Sequence, residues 1–533
     1  MANAYYDYVN GSAGNDGLTA TTAKATRDQA VAVAGAGDKV IAVNGTQQHE
    51  SADFVFDDDR IESAESFRDA TLIAANSETG EVARTSSALL ATNNPLTIEN
   101  LVFDASQGNP PTRALSIVAD TSEDIITVVN GCQMIPGTDG ALYISDRRGE
   151  QIVTDLLITG TINDHAVYVD GNQTASGDQK IKINNLTILP DNELITSQEL
   201  VDLRGLASNN LDLVVNNLSI TADVADSASS VYGIKLKSNS KIHVNNTNLI
   251  FNGDDVSGVT GLMIHGHSAG NEPSEVYVQN LNVEFNCVAG YGAAIGESQI
   301  DSHLTSGFIS GCYLKGKYYA SGTPHTLVLG QGSNLTLAGN YFDGGGVPCL
   351  VSITDDAKVI NNIFYNPFIT GIFVKGTTDC TIQNNIVMND GSYLTRASLL
   401  CAVDDQGGTN TAAATIKDNI VYVADISTIN TLSAINDTSQ VCTYENNIYV
   451  LPDDTDLSTT DLFGYNCGAG GAANNTYAEW IAQSEVTDDR IVLLPAAEIR
   501  SIIANLQKPD PFNTLLSINN VTIPTERTAS ITF

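Results

Sequence analysis

The sequence predicts an all-β chain that winds into a parallel β-helix, a solenoid of about 13 or more coils with a small cap at each end. Its 533 residues exceed what one hydrophobic core usually serves, so either several domains or a repeating solenoid is expected. With 44 glycines but only 6% aromatic and 16% charged residues, the composition is typical of short strands joined by polar turns. A short phrase that repeats along the chain then favours the solenoid.

The repeated phrase is an Asn-Asn or Asn-Gly turn followed by an apolar-x-apolar strand, as in Asn184-Asn185-Leu186-Thr187-Ile188. Spacings of 22 to 34 residues suit one turn of a solenoid with three short strands. A propeller would instead need blades of ~40 residues with a recurring aromatic signature. The thirteen anchors lie at positions 100, 131, 160, 185, 217, 246, 280, 311, 340, 362, 385, 419 and 447. Stacked turn asparagines would satisfy backbone groups at the corners, and the predicted members are Asn185, Asn217, Asn246, Asn280, Asn362, Asn385, Asn419 and Asn447.

Both ends of the chain have patterns that differ from the repeat. Near the N-terminus, the segments at 8–18, 26–34 and 37–43 predict a strand with a Gly-rich turn, a helix and a second strand. Near the C-terminus, Pro495 begins a pattern of apolar residues at i, i+3, i+4 and i+7, which predicts an amphipathic helix. The tail at 515–533 alternates like strands, which could pair with neighbouring chains or remain a plain edge. We therefore expect an N-terminal cap with the first coils, a β-helix, and a C-terminal cap with the tail, at 1–95, 96–455 and 456–533.

The N-terminal segment and the repeated phrase closely resemble right-handed β-helix repeat proteins of the pectate-lyase-like superfamily. Tyr477-Ala478-Glu479-Trp480-Ile481 is similar to a C-terminal element that is common in the same family. The resemblance implies a right-handed coil and a role in binding or processing polysaccharide, as in phage tailspikes and secreted lyases. The family's Ca²⁺-dependent lyases and its polygalacturonase relatives carry recognisable catalytic motifs, and neither motif maps onto this chain.

The charge of the chain limits its partners. Against 62 Asp and Glu there are only 25 Lys and Arg, which gives a formal net charge of −37. Such a field repels nucleic acid and anionic membranes, so neither is expected as a partner. A polyanionic sugar would need a local basic patch or a bridging cation.

The location is predicted from features that the sequence lacks. No stretch approaches the ~18 apolar residues of a membrane span, and no signal-peptide pattern is visible at the N-terminus. We therefore expect a virion or extracellular protein without membrane insertion, and the tailspike resemblance implies a homotrimer. The eight cysteines form no CxxC pair, which predicts small buried core residues rather than disulfides.

Each coil also has a strand that ends in a polar residue, which predicts a polar column along one lateral face. Consecutive coils repeat at roughly the spacing of a sugar unit, so the column is a candidate glycan groove. The alternative is that outward positions are polar in any soluble β-helix. The members of the column are Asp146, Asp170, Arg204, Lys237, His265, Glu297, Gln331, Asp355, Lys375, Asp404 and Asp437.

The middle of the column is richest in groups that can transfer protons or contact sugars. Glu297, Asp301 and His265 are the candidate catalytic residues, since two carboxyl groups and an imidazole could act as acid and base. No metal site and no certain cofactor are predicted. An acidic segment could bind Ca²⁺ or be a solvated loop; it contains Asp453, Asp454, Asp456 and Asp461. The predicted binding residues are His267, His303, Tyr318, Tyr319, His325, Gln331, Lys237 and Lys375.

Three functions remain open. The first is a phage tailspike or tail-fibre type of protein that binds a cell-surface polysaccharide along its lateral face, with or without cleaving it. The second is a secreted polysaccharide lyase or glycoside hydrolase. The third is a non-catalytic structural or adhesive rod, which would lack a convergent acid and base.

Overall fold

The structure of the protein is a computed structural model, and β-strands account for nearly all of its regular secondary structure. The residues that it describes are 3–7, 10–26, 29–30, 32–34, 39–42, 47–49, 71–73, 88–91, 96–99, 102–106, 112–118, 126–147, 149–171, 178–205, 210–238, 240–255, 258–265, 275–289, 292–297, 303–304, 307–316, 325–329, 331–333, 335–344, 347–352, 354–375, 379–392, 395–404, 413–435, 441–465 and 473–506. None of the described helices is both long enough and apolar enough to cross a membrane.

Parallel pairing of short strands organises the chain. Strands that follow one another by one turn lie side by side; Val167–Gly171, for example, pairs with both Gly140–Arg147 and Glu199–Arg204. Equivalent strands of successive turns therefore form parallel ladders, which is the geometry of a β-solenoid. The predicted class, an all-β parallel solenoid, is confirmed.

The chain divides into two compact units, Met1–Pro273 and Ser274–Phe533. In the described part of each unit, the ladder along one face has seven strands. The structure supports a solenoid of about 8 turns, so the prediction of about 13 or more coils was wrong. The prediction counted each of the thirteen anchors as one turn. The boundaries at 95/96 and 455/456 stay a prediction.

In the first unit, the seven-strand ladder is called the first ladder. It consists of Ala88–Ala91, Arg113–Val118, Gly140–Arg147, Val167–Gly171, Glu199–Arg204, Val231–Lys237 and Val259–His265. The other strands are Asn3–Tyr6, Lys39–Ala42, Gln47–His49, Thr71–Ile73, Leu96–Glu99, Val102–Asp104, Thr127–Asn130, Gln133–Ile135, Glu150–Gly160, Asp178–Pro190, Leu194–Thr196, Asn210–Ser229 and Lys241–Asp255. A 3₁₀ turn spans Ala20–Thr22.

In the second unit, the corresponding seven strands are Gly292–Glu297, His325–Leu329, Val347–Ser352, Ile372–Lys375, Cys401–Asp404, Ser433–Ile435 and Phe463–Tyr465. The other strands are Glu275–Ala289, His303–Leu304, Gly307–Ser310, Tyr313–Gly316, Gln331–Ser333, Leu335–Ala338, Tyr341–Gly344, Thr354–Asp355, Lys358–Ile360, Ile363–Tyr365, Cys380–Gln383, Ile386–Asn389, Thr395–Ser398, Ala413–Lys417, Ile420–Val423, Ile429–Thr431, Val441–Glu445, Ile448–Pro452, Val486–Thr487 and Arg490–Leu494. The helical segments are Ile426–Thr428, Tyr477–Trp480 and Ala496–Leu506.

The corners of the first unit are made by Asn and Asp in the left-handed conformation. Asp155 has φ 50°, and Asn185 and Asn217 have φ 52°. Such a residue interrupts the alternation of the strand, so the residues on both sides of it, such as Val153 and Leu156, are buried. Asn and Asp tolerate this conformation better than other residues with side chains. The repeated phrase therefore predicted the corners correctly.

Only part of the predicted amide ladder is buried. The predicted members Asn185, Asn217, Asn246 and Asn280 are exposed corner residues. Later in the second unit the corner residue is followed by an inward-facing Asn, and the buried members are the predicted Asn362, Asn385, Asn419 and Asn447, joined by Asn340. Asn362, for example, donates from its Nδ2 to Leu337 O (3.1 Å) and to Asn385 Oδ1 (3.0 Å). Its backbone N–H also donates to Asn385 Oδ1 (3.0 Å). Each amide thus pairs backbone groups that a buried corner would otherwise leave without a partner.

The C-terminal helix was predicted correctly. It spans Ala496–Leu506 and begins after Pro495. Ile499 and Ile503 are fully buried in a cluster that includes Met388 and Val450. The apolar stripe of the sequence thus faces the outer surface of a sheet of the second unit.

The other predicted elements are partly described. Asn3–Tyr6 and Lys39–Ala42 form a parallel pair near the N-terminus, and Gln29 and Ala30 are helical within the predicted segment 26–34. The core role of the thiols is confirmed for Cys132, Cys312, Cys349, Cys380, Cys401 and Cys442, which are buried and form no disulfide among the described residues. The side chains of Cys287 and Cys467 and the tail at 515–533 lie outside the described residues.

The buried ladder makes a prediction about stability. Asn385→Asp would place a carboxylate oxygen against Val359 O and Asn419 Oδ1, to which the amide Nδ2 donates at 2.8 and 3.0 Å. We expect it to lower the free energy of unfolding by about 3 kcal/mol or more, since a buried charge would lose two hydrogen bonds. The matched variant Asn217→Asp changes an exposed corner and should cost about 1 kcal/mol or less. Thermal unfolding of both variants measures the difference, and equal midpoints would contradict the structural role of the ladder.

Candidate functional site

The predicted catalytic residues are not placed together by the described part of the chain. His265 ends a strand of the first unit and Glu297 ends a strand of the second, and neither side chain is described. Asp301 lies outside the described residues. The catalytic role of these three residues stays a prediction.

The predicted binding residues of the second unit are described only by their strand positions. His303 and Gln331 are register partners on neighbouring parallel strands. Lys375 and Asp404 are likewise register partners on neighbouring strands. His325 begins the strand His325–Leu329. The residues that lie outside the described part are His267, Tyr318 and Tyr319.

The acidic loop that could bind Ca²⁺ is held by its own turn. Asp456 accepts hydrogen bonds from Ser458 N (3.0 Å), Ser458 Oγ and Thr459 Oγ1 (both 2.6 Å). These hydrogen bonds lower the pKa of Asp456 to about 2. The oxygens of this carboxylate are therefore already used by the loop, which favours the solvated-loop interpretation.

Part of the predicted polar column is present in the first unit, and Asp146 is not aligned with it because the register shifts between Ile144 and Arg147. Asp170, Arg204, Lys237 and His265 are register partners on four consecutive strands of the first ladder. Since register partners in a parallel ladder face the same side, the column brings these positions into one row. The inward neighbours along the same strands are apolar and buried: Val169, Leu203, Leu236 and Ile264.

A second row lies beside the column, two residues earlier in each strand. Tyr143, Tyr168, Asp202 and Lys235 are partners in register. Because side chains alternate along a strand, a step of two residues keeps the same face. The sequence contained this signal, and the prediction missed it because only the last polar residue of each strand was considered.

Both rows meet at a group of charged side chains, here called the His165 cluster: His165, Glu199, Asp202, Arg204 and Lys235. His165 Nε2 lies 3.2 Å from Glu199 Oε2 and 3.5 Å from Asp202 Oδ2. Arg204 donates from Nη2 to Glu199 Oε2 (2.8 Å) and from Nε to Asp202 Oδ2 (2.6 Å). Lys235 Nζ donates to Glu199 Oε1. Two carboxyl groups are thus surrounded by three basic side chains.

No pattern in the sequence identified His165 or Glu199 as site residues. His165 lies in the turn before Val167–Gly171, and Glu199 begins the next strand of the ladder. They are 34 residues apart and meet only because each turn of the solenoid returns the chain to the same face. Asp164, beside His165 in the chain, approaches the other ring nitrogen, with its Oδ2 2.7 Å from Nδ1.

The environment separates the protonation behaviour of the two carboxyl groups. Burial alone would raise the pKa of Glu199, but hydrogen bonds from His165 and Lys235 bring it well below its ordinary value. Burial raises the pKa of Asp202, and the charge of Glu199 adds to that rise. Asp202 is fully buried, and its Oδ1 has no hydrogen-bond partner among the described residues. Glu199 therefore stays ionised to a lower pH than Asp202 does.

His165 is protonated at neutral pH. Burial alone would lower its pKa, but hydrogen bonds to Asp202 and Glu199 and the charge of Asp164 raise the pKa to about 9. The cluster therefore contains an imidazolium in addition to Arg204 and Lys235.

Stacked tyrosines adjoin the cluster. The rings of Tyr143 and Tyr168 lie 4.9 Å apart with an interplanar angle of 9°. The Arg113 guanidinium lies 3.6 Å from the centre of the Tyr143 ring, and His165 approaches Tyr168 edge-on at 5.1 Å. The hydroxyl of Tyr168 donates to Asp170 Oδ2 (3.2 Å). Half-buried aromatic surface and hydroxyl groups thus lie beside the charges.

Lys237 is the least compensated cation at the site. It is the direct register partner of Arg204. Burial and the charges of Arg204 and Lys235 lower its pKa, and the charges of Asp202 and Asp170 offset only part of this effect. Lys237 forms no ion pair with any described residue. An anion is the group that would relieve this repulsion.

Three potential metal ligands also converge here. Ligand atoms of His165, Glu199 and Asp202 lie within 4.8 Å of one another, and no other such group is found in the described part of the chain. A divalent cation would have to displace the hydrogen bonds of Arg204 and Lys235 and the proton of His165. The residues present therefore fit an anionic ligand better than a metal ion.

In sequence, the chain matches no protein-family model and no curated protein.

The protonation of His165 makes a prediction about pH. The folded-state pKa of about 9 is above the ordinary value of 6.5, so the stabilisation is fully present below pH 6.5 and is lost as pH rises through 9. Between pH 6 and 9.5 we expect the wild type to lose on the order of 2 to 3 kcal/mol of stability that the His165→Gln variant does not lose. Denaturant unfolding at several pH values measures both proteins. Parallel pH profiles would contradict a protonated His165 in the folded state.

Proposed function

We propose that the protein binds an anionic carbohydrate along the outward face of the first unit, over the His165 cluster and Lys237. The observation that carries this proposal is Lys237, a half-buried cation beside Arg204 that forms no ion pair with a described residue, since the charges of Asp202 and Asp170 offset only part of its repulsion. The chain has a net charge of −37, so a local group of cations is the feature that an acidic polymer would require. An acidic group of the sugar would replace the missing partner of Lys237.

The arrangement suits a carbohydrate better than a small anion. The polar residues form rows across consecutive strands, which are spaced about 4.8 Å apart, and this spacing is close to the length of a sugar unit. Tyr168 adds an aromatic ring and a hydroxyl group beside the cations. A polymer that runs along the rows could therefore contact one strand with each unit.

The biological setting that we propose is a phage tailspike or tail-fibre type of protein, located on a virion or outside the cell and assembled as a homotrimer. Support for it comes from the parallel solenoid fold and from the resemblance to the pectate-lyase-like superfamily. Sedimentation of the full chain tests the trimer. A monomer would favour the alternative of a secreted enzyme.

A specific observation favours that alternative, a polysaccharide lyase or glycoside hydrolase. The pKa of Glu199 is lowered and that of the neighbouring Asp202 is raised. Pairs of carboxyl groups whose pKa values are pushed apart are typical of acid and base catalysis. Asp202 is buried beneath Arg204, so its role would be to position His165 and Arg204 while Glu199 or His165 contacts the sugar.

Binding tests the main proposal. We expect the protein to bind at least one uronate-containing or sulfated bacterial polysaccharide, more weakly at higher ionic strength. Lys237→Gln should weaken this binding about tenfold, because a charge-assisted contact is lost. Lys180→Gln removes the same charge from another sheet of the first unit and should leave the affinity unchanged. Equal affinities of the two variants, measured by calorimetry, would exclude Lys237 from the site.

The release of reducing or unsaturated ends from the same polysaccharides would distinguish a polysaccharide-cleaving enzyme from a non-catalytic rod. If the site is catalytic, Glu199→Gln should lower the rate at least about a hundredfold. Glu297→Gln and His265→Ala test the residues predicted from the sequence in the same assay. Binding without any release of ends by the wild type would favour a receptor-binding or structural rod.

A further inference from the structure

One ladder of the second unit ends on an open strand. Arg490–Leu494 pairs with Ile448–Pro452 and is the last strand of that ladder in the described part of the chain. Leu493 is 40% exposed, whereas its register partner Leu451 is 0% exposed. Val492 is 37% exposed, whereas its partner Val450 is 5% exposed. The exposed residues occupy positions that a further strand would cover.

The buried amide ladder reaches the same edge. Its last described member is Asp489, whose Oδ1 accepts from the backbone N–H (2.8 Å) and the Nδ2 (2.9 Å) of Asn447. In the earlier turns an Asn at this position is followed by another Asn one turn later, which accepts from its backbone N–H, as Asn447 does for Asn419 (3.1 Å). A further turn would place such an acceptor beside Asp489.

The chain contains one more copy of the repeated phrase. Asn519-Asn520-Val521-Thr522-Ile523 follows the pattern of Asn446-Asn447-Ile448-Tyr449-Val450, in which the first Asn is the corner and the second is the inward amide. Asn520 comes 31 residues after Asp489, which is within the range of 22 to 34 residues between the anchors. The phrase therefore has both the composition and the spacing of a next turn.

The C-terminal helix leaves the chain within reach of the edge. Leu494, at the end of the open strand, and Leu506, at the end of the helix, both pack against the same cluster. The twelve residues at 507–518 can span at most about 40 Å, several times the distance between neighbouring strands. The segment can thus return to the edge of its own chain.

We propose that residues 519–523 of the same chain dock on Arg490–Leu494 as one more parallel strand, with Asn520 beside Asp489 and Val521 beside Arg490. This register continues the amide ladder and covers the exposed apolar side chains. An uncovered apolar edge strand would be a template for association between chains. The docking is independent of the carbohydrate proposal, because it involves no residue of the first unit.

A cysteine pair in the full chain tests the register. In Arg490→Cys/Val521→Cys the two thiols face the same side of adjacent strands, and mild oxidation should join them within one chain. In the control Arg490→Cys/Thr522→Cys the second thiol faces the opposite side, so at least about tenfold less disulfide should form. Non-reducing electrophoresis and peptide mass spectrometry identify the products. A disulfide between two chains would assign the edge to a second copy and overturn the proposal, as would equal yields in both variants.

Hydrogen exchange provides a test without cysteines. In the full chain, amides of Arg490–Leu494 should be protected, and Val521→Pro should speed their exchange about tenfold or more, because proline cannot remain in the paired strand. Ser530→Pro lies outside the phrase and should leave the exchange of these amides unchanged. Rapid exchange in the wild type, or no difference between the variants, would overturn the proposal.

Discussion

Each turn of the solenoid must pass a corner without leaving buried backbone groups unpaired, and the rest of the structure depends on this requirement. In the first unit, left-handed Asp155, Asn185 and Asn217 turn the chain so that apolar residues on both sides of the corner face the core. In the second unit, an inward amide after the corner binds the backbone of neighbouring turns. Few residue types can do either, and for this reason the corners are visible in the sequence.

The sequence predicted the fold well because corner chemistry and apolar spacing are local properties. The same is true of the helix Ala496–Leu506, whose apolar residues recur with helical period. The number of turns was overestimated, because a repeated phrase does not report which strands pair with one another. Strand pairing depends on contacts that are distant in sequence.

The candidate site was only partly predictable for a related reason. The column with Asp170, Arg204 and Lys237 was predicted correctly, because each of these residues stands at the end of an apolar strand in the sequence. His165 and Glu199 lie outside the regular alternation of the strands. They come into contact only because one turn of the solenoid brings the chain back to the same face. The buried carboxyl group of Asp202 is compensated by His165 and Arg204, so the cations that cover it are as much a requirement of folding as a property of the surface.

Two kinds of corner occur along the chain, and the difference limits how such a protein can change. The residue after the corner is apolar at some turns, as at Leu186 and Leu281, and an amide at others, as at Asn385. A turn of the first kind inserted among turns of the second kind would place an apolar side chain in a row of hydrogen-bonded amides and interrupt the row on both sides. Turns with nearly identical sequence are therefore not interchangeable, and a duplicated turn is tolerated only beside turns that have the same kind of corner.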